Sequence, residues 1–266
     1  MNRLLNFIRK YIVPDETRLI HSILHKESIV NPLMIDVGAC LGDVLMPFLN
    51  DKWIVHAFEP DRKNYILLKE RTLNHSIIIN SKAVSNKVQD QAAFFSSQES
   101  VGVGSLLKFS NNHQYSHEVA VTTLGLYCSE NNIEKIDFLK VDVEGYDKLV
   151  LEGLDWDSIK PSMIMCEYED KKTKKLNYRM HDLILLLEDR GYKVMVSVWY
   201  PLNKYGGAHK WNKFIYSDFE TISDDTWGNI IATNNYKLWN QLLIKAQSYS
   251  FIWSFNIYHF IRNYSN

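Results

Sequence analysis

No stretch of eighteen apolar residues occurs in this 266-residue chain, so nothing in it reads as a membrane-spanning helix. Cysteine is scarce. Cys40, Cys128 and Cys166 are widely spaced and form no CxxC pair, which argues against a disulfide framework or a cysteine zinc site. A reducing, cytoplasmic compartment fits that usage best. Glycine (11) and proline (6) are too few for a collagen-like or proline-rich protein. Neither sign of charge dominates. Lys and Arg number 30 against 31 Asp and Glu, a net of −1, so the broad basic field that draws proteins to nucleic acid is missing. The opening MNRLLNFIRKYIV mixes charge into its apolar residues and offers no small-residue cleavage site, so no secretory leader is expected. Repeats and low-complexity tracts are also absent from the sequence.

What is present is ordinary globular composition, 46% hydrophobic and 23% charged, which excludes wholesale disorder. Aromatics reach 13%, with 7 Trp and 15 Tyr, enough to suggest a surface that grips a ring-shaped or sugar-like ligand. Residues 1–30 read as a helical extension broken by Pro14. From Leu33 strands and helices alternate: 33–37, 53–58 and 77–79 are apolar strands, the last continuing toward Ala83-Val84, with a helix capped by Asp61 running to about Leu73. Residues 86–123 form a β insertion around a polar loop. Further strands follow at 136–143, 163–166, 192–199 and 229–233, with helices at about 146–151 and 176–190. The pattern predicts an α/β fold, a mostly parallel seven-stranded doubly wound sheet with a small β insertion. It divides the chain into an extension (1–30), a catalytic domain (31–235) and an aromatic-rich helical tail (236–266). In such sheets ligands bind outside the carboxyl ends of the strands.

Three motifs sit at those ends. The first is Asp36-Val37-Gly38-Ala39-Cys40-Leu41-Gly42, a glycine-punctuated turn after a buried strand. Its spacing is GxxxG, not the GxGxxG of a dinucleotide site. Asp36 before the glycine would repel a pyrophosphate and suit a cationic amine, which turns the reading from a nicotinamide dinucleotide toward S-adenosylmethionine (SAM). The alternative is an ordinary glycine turn. The second is Glu59-Pro60, 17 residues after Gly42, near the offset at which a carboxylate accepts both hydroxyls of a ribose; otherwise it is an exposed turn acid. The third is Asp142-Val143-Glu144-Gly145. Alternation along a strand predicts Asp142 and Glu144 on one side of the sheet edge, although Glu144 could instead cap the following helix.

The blocks IDVGACLGDV, HAFEPD and FLKVDVEGYDKLVLEG, together with the strand-terminal Glu167, resemble the FkbM-type SAM-dependent methyltransferases. The likeness spans roughly residues 33–170. It implies a Rossmann-like class I methyltransferase acting on a hydroxyl, often of a sugar or polyketide-type acceptor, as in polysaccharide biosynthesis. The resemblance implies that Asp36, Gly38, Ala39 and Gly42 form the SAM loop and that Glu59 and Pro60 meet the ribose. It sets Ala83 near the adenine, Ser105 in a short serine-leucine segment at the site, and Asp142 as the acid after the fourth strand. Two positions depart from the family pattern: Cys40 stands where asparagine is usual and Gly125 where aspartate is usual.

Removing the proton of an acceptor hydroxyl calls for a general base, and the candidates are Glu144, Glu167, His181 and His209. His209 lies in a glycine-aromatic loop, Trp199–Trp211, that could cover an acceptor; a surface or satisfied core histidine is the plain alternative. No metal is assigned, though Asp142 and Glu167 would hold a hard cation if a third oxygen converged on them. Lys171, Lys172, Lys174 and Lys175 read as a solvated face. The expected partner is a small-molecule or glycan acceptor. The tail aromatics are candidates for core packing, a homodimer contact or peripheral attachment to a membrane. The competing functions are a nicotinamide-dependent oxidoreductase and a non-catalytic glycan-binding protein on a degenerate SAM fold.

Overall fold

The computed structural model describes residues 15–97, 102–201 and 209–254, the last three of these in backbone only. Its centre is an eight-stranded sheet. In chain order the strands and helices that build it are α1 (Glu16–Leu24), β1 (Leu33–Val37), α2 (Met46–Asn50), β2 (Ile54–Phe58), α3 (Arg62–Arg71) and β3 (Ile77–Asn80). A three-stranded excursion follows: β4 (Ala83–Val84), β5 (Gln89–Ser97) and β6 (His113–Thr122). The chain then returns through α4 (Leu124–Glu130), β7 (Phe138–Val141), α5 (Asp147–Glu152), β8 (Met163–Glu169), α6 (Asp170–Thr173) and α7 (Met180–Glu188). It closes with β9 (Lys193–Trp199), β10 (Trp211–Ile215), β11 (Trp227–Thr233) and α8 (Tyr236–Ser254).

The sheet order is β10-β9-β11-β8-β7-β1-β2-β3. The pairs β3–β2, β2–β1, β1–β7 and β7–β8 are parallel, while β11 runs antiparallel to both β8 and β9. The mostly parallel, doubly wound sheet read from the sequence is therefore present, with one strand more than expected. The extra one, β10, pairs antiparallel with β9 at the edge. Its apolar residues are split by Asn212-Lys213, where the register shifts, so no clean two-residue alternation marked it in the sequence. The expected continuation of the third strand into Ala83-Val84 is corrected: β3 belongs to the large sheet and β4 to the small one.

Alternation along each strand feeds two cores. Ile35, Val37, Leu139, Val141, Ile164 and Val196 face one side and pack under α4, α5 and α7. Met34, Val55, Phe138, Met165, Met195 and Ile231 face the other and pack against α1, α2 and α8. Each fully buried Leu, Ile or Phe contributes roughly 1.5–3 kcal/mol relative to exposure. The flanking helices share that second core through Leu19, Ile20, Ile23, Leu238, Trp239 and Leu242. Buried Glu16 ties α1 to β9, accepting hydrogen bonds from the Ser197 hydroxyl at 2.5 Å and the Trp199 indole at 2.8 Å. Burial, opposed by those bonds, raises its pKa above the ordinary carboxylate value. Among the described residues no helix is long and apolar enough to cross a membrane. The tail residues Phe255, Tyr258 and Phe260, the helix predicted before Pro14, and Tyr205 to Ala208 of the aromatic loop lie outside the described residues.

Candidate active site

The carboxyl ends of β1, β2 and β7 border a cleft lined by Val37, Gly38, Phe58, Glu59, Asp142 and Val143, the place where a sheet of this kind takes its ligand. Gly38 turns the chain there at φ +82°, and a Cβ on it would meet the Asp142 carbonyl at 1.9 Å. Only glycine lets the two strand ends approach so closely. The turn is pinned from both sides. The amides of Gly38 and Ala39 donate to the Phe58 carbonyl at 3.0 Å each, and the Lys140 ammonium donates to the Gly38 carbonyl at 2.6 Å.

Six of the predicted cofactor residues line this cleft: Gly38, Glu59, Pro60, Ala83, Ser105 and Asp142. Glu59 is held rigidly. Its Oε2 accepts from the Cys40 amide at 2.6 Å and its Oε1 from the Asp61 amide at 2.8 Å. Burial pushes its pKa up to about 7, against the lowering effect of those two amides. Ser105, in the connection between β5 and β6 and bridged to Phe95, donates to the Glu144 carbonyl at 3.0 Å and so fastens the small sheet to the turn after β7. The other three, Asp36, Ala39 and Gly42, are not among the residues that line it. Asp36 is fully buried, 3.1 Å from the Lys140 ammonium of the neighbouring strand, its partner in register. Ala39 is buried, and Gly42 packs on the Leu68 and Leu45 side chains. The acid that does face the cleft is Asp142, 41% exposed and 3.7 Å from the same ammonium.

The residues missed from the sequence are mostly uncharged. Phe58, Asn64, Phe94 and Tyr146 also line the cleft, as does Cys40. Cys40 takes φ +48°, a left-handed conformation that favours asparagine among non-glycine residues, which gives the departure at this position a backbone meaning. The position of the second departure, Gly125, is filled by main chain: a Cβ there would stand 3.2 Å from the Asp155 amide and the Gly153 carbonyl.

Beside the cleft, at the ends of β7 and β8, lies an acid network. Carboxylate oxygens of Asp142, Glu144 and Glu167 lie within 4.8 Å of one another. Alternation on a strand is not what gathers them. β7 ends at Val141, and Glu144 enters a left-handed turn at φ +57°. At their centre is Lys172, which the sequence reading placed on a solvated face; this is corrected, because Lys172 is 3% exposed. Its ammonium pairs with Glu144 at 2.5 Å, Glu167 at 3.0 Å and Glu169 at 2.9 Å. The oxygens could otherwise hold a hard cation, and the lysine supplies the positive charge in that place. Burial raises the pKa values of Glu144 and Glu167 above the ordinary carboxylate value, and Lys172 opposes the shift. Burial and Glu167 push buried Asp147 up to about 8; it accepts from the Glu167 amide at 3.1 Å.

The remaining base candidates stand apart from this network. His181 faces Glu220 at 3.5 Å. His209 is exposed and meets Trp227 edge-on at 4.8 Å, with Trp199 at 6.3 Å. Trp199 and Trp227 sit on adjacent strands, with Trp227 in register with Glu169 of β8, so this aromatic wall continues the edge that carries the acids. Trp211 does not cover an acceptor; it is buried in β10 and donates to the Ser197 hydroxyl at 3.0 Å.

A doubly wound sheet, a glycine turn at its central strand and a rigid carboxylate at the next strand end define a Rossmann-like nucleoside-cofactor enzyme. The chain matches the methyltransferase FkbM domain over residues 36–194 and belongs to that family. It is a SAM-dependent methyltransferase, and S-adenosyl-L-methionine is its cofactor. Glu59, with fixed orientation and a face on the cleft, and Gly38, where any Cβ would collide, fit that molecule. Among curated proteins none matches the chain significantly. Solved structures similar to it include precorrin-6y C5,15-methyltransferase from Geobacter metallireducens GS-15, at 12% identity and TM-score 0.42, with 84% of this chain and 91% of that one covered. Magnesium protoporphyrin IX methyltransferase from Synechocystis PCC 6803, with bound SAM, gives 9% identity and TM-score 0.43 over 86% and 85% of the chains. A putative caffeoyl-CoA O-methyltransferase from Staphylococcus aureus gives 13% identity and TM-score 0.43 over 87% and 91%.

Proposed function

We propose that this enzyme methylates a hydroxyl oxygen of a sugar, glycan or related polyhydroxylated small molecule in the cytoplasm. The observation that carries this reading is the Lys172-centred acid network beside the cleft, continued along the same edge by Trp199, Trp227 and His209. Carboxylates accept hydroxyl hydrogen bonds, and aromatic faces suit the apolar side of a sugar ring.

SAM in the cleft would supply a methyl group already activated on a sulfonium. Glu59 would accept hydrogen bonds from its ribose hydroxyls, and Asp142, an acid exposed to the cleft, would hold its ammonium group. The pinned Gly38 turn fixes that orientation, and alignment alone supplies about 7–11 kcal/mol in well-arranged reactions. Glu144 would take the proton of the acceptor hydroxyl as that oxygen receives the methyl group. A raised pKa suits it to that role near neutral pH. Lys172 keeps Glu144 and Glu167 in place and lets the deprotonated base exist so close to other acids. His209 contacts the acceptor from the aromatic wall.

Purified enzyme with labelled SAM and a panel of free sugars, nucleotide sugars and glycans tests the reading. Label on a sugar oxygen, located by fragmentation mass spectrometry, is the expected result. Label found only on nitrogen or carbon acceptors would refute it, and glycan binding without methyl transfer would identify the non-catalytic alternative.

A further inference from the structure

Away from the cleft, on the face where α1 meets the turn after α2, three metal-ligating side chains converge. His21 lies on α1 and His25 caps its C-terminus one turn later, on the same side. The Nε2 of His21 lies 2.8 Å from Oδ2 of Asp51, and the Nδ1 of His25 lies 2.5 Å from the same oxygen. All three ligand atoms fall within 4.8 Å of one another. We propose that His21, His25 and Asp51 form a zinc site that clamps α1 to the turn between α2 and β2.

Two of the three ligands are held from outside the cluster. The His21 ring rests edge-on against buried Phe48, with centroids 5.0 Å apart. The backbone of Asp51 is fixed at the end of α2 by its amide, which donates to the Phe48 carbonyl at 3.1 Å. Zinc binds imidazole nitrogen at about 2.0–2.1 Å and carboxylate oxygen at about 2.0–2.2 Å, so tetrahedral ligands stand roughly 3.3 Å apart. The two nitrogen–oxygen separations need to open by only about half to one ångström to admit the ion. His25, 62% exposed, has the room to make that movement and leaves the fourth position to water. Two imidazoles and one carboxylate select a borderline metal such as Zn²⁺ over Mg²⁺ or Ca²⁺, which prefer all-oxygen shells. The ligands lie 26 and 30 residues apart in sequence. Metal binding therefore joins two segments that the unfolded chain does not hold together, and it stabilises the fold by mass action.

The test uses full-length protein without a polyhistidine tag, freed of metal by chelation. Calorimetric titration with zinc chloride is expected to give one ion per chain at micromolar free zinc, with no heat from magnesium chloride. Cobalt substitution should give the visible d–d bands of a low-coordinate nitrogen–oxygen site. Zinc at about a hundred times its Kd should raise Tm by roughly 5–10 °C. Asp51→Asn and His25→Asn should each weaken zinc binding at least tenfold and abolish the Tm shift, with methyl transfer unchanged. His25 is exposed, so its variant folds even if Asp51→Asn does not. Absence of stoichiometric zinc binding in the parent protein, or zinc affinity and Tm shift unchanged in His25→Asn, would overturn the proposal.

Discussion

Lys140 and Lys172 are both 3% exposed, and each bridges carboxylates from different parts of the chain, yet the two were built by different means. Lys140 lies on a strand, in register with Asp36 of the adjacent strand, and its other contacts are Asp142 and the Gly38 carbonyl. It supports the cofactor half of the site from beneath. Lys172 lies on the four-residue helix α6, and its partners come from a left-handed turn and from β8. It organises the acid half. Under the proposed function one lysine would serve the binding of SAM and the other the chemistry of the acceptor, and separate perturbations should pull those functions apart.

The largest effect is expected from Lys140→Ala. It leaves the Asp36 carboxylate buried without its partner, which typically costs about 3–5 kcal/mol. Urea unfolding should show that loss, together with weakened SAM binding by the folded fraction. Lys172→Met should separate the halves. Turnover should fall about 100-fold, the scale of a disabled general base. SAM affinity measured by calorimetry should stay within about threefold, well under the 1.4 kcal/mol that a tenfold change represents. Equal loss of both would erase the division drawn between the two lysines.

Glu59→Gln should weaken SAM binding by about 10- to 100-fold, the cost of losing charge-assisted hydrogen bonds. Its pH dependence sharpens the assignment. The native pKa is raised from 4.5 to about 7, so the folded state holds the proton more tightly than the unfolded one. Stability associated with Glu59 is therefore greatest below pH 4.5, declines as pH rises toward about 7, and is level above that. The decline amounts to at most about 3 kcal/mol and should be absent from urea midpoints of Glu59→Gln measured over the same range. SAM affinity of the parent enzyme should strengthen between pH 6 and 8 as Glu59 ionises. The smallest effect is expected from His209→Ala. Turnover or acceptor KM should change by about tenfold or less, the loss of one edge-on contact to an acceptor, and SAM binding should not change.

Most of the cofactor half was legible in the sequence. Strands bounded by glycine and by Glu59-Pro60 announce their own ends, and a ligand at those ends follows from the parallel topology. The full burial of Asp36 against Lys140 was not legible, because a strand alternates its side chains while the sequence does not say which face is open; the register with Lys140 decided that, and Asp142 lines the cleft. The acid half was only partly legible. Glu144 and Glu167 were named, but strand alternation was credited with setting Glu144 beside Asp142, whereas a left-handed turn places it. Lys172 was read as solvated because three other lysines surround it in the sequence, and nothing local distinguishes the one that turns inward.

By itself the amino-acid sequence determined the alternating α/β architecture, the glycine turn and the acid at the next strand end, because each rests on short-range patterns of apolar periodicity and turn chemistry, and its motif blocks carried the resemblance to the family. Tertiary structure alone decided which acids meet the cleft, that a lysine sits where a cation would, that Trp211 closes the sheet as an edge strand, and that two histidines of α1 meet Asp51. Those outcomes depend on pairings between residues far apart in the chain, and burial, which sets their charge and reactivity, exists only once the pairs have formed.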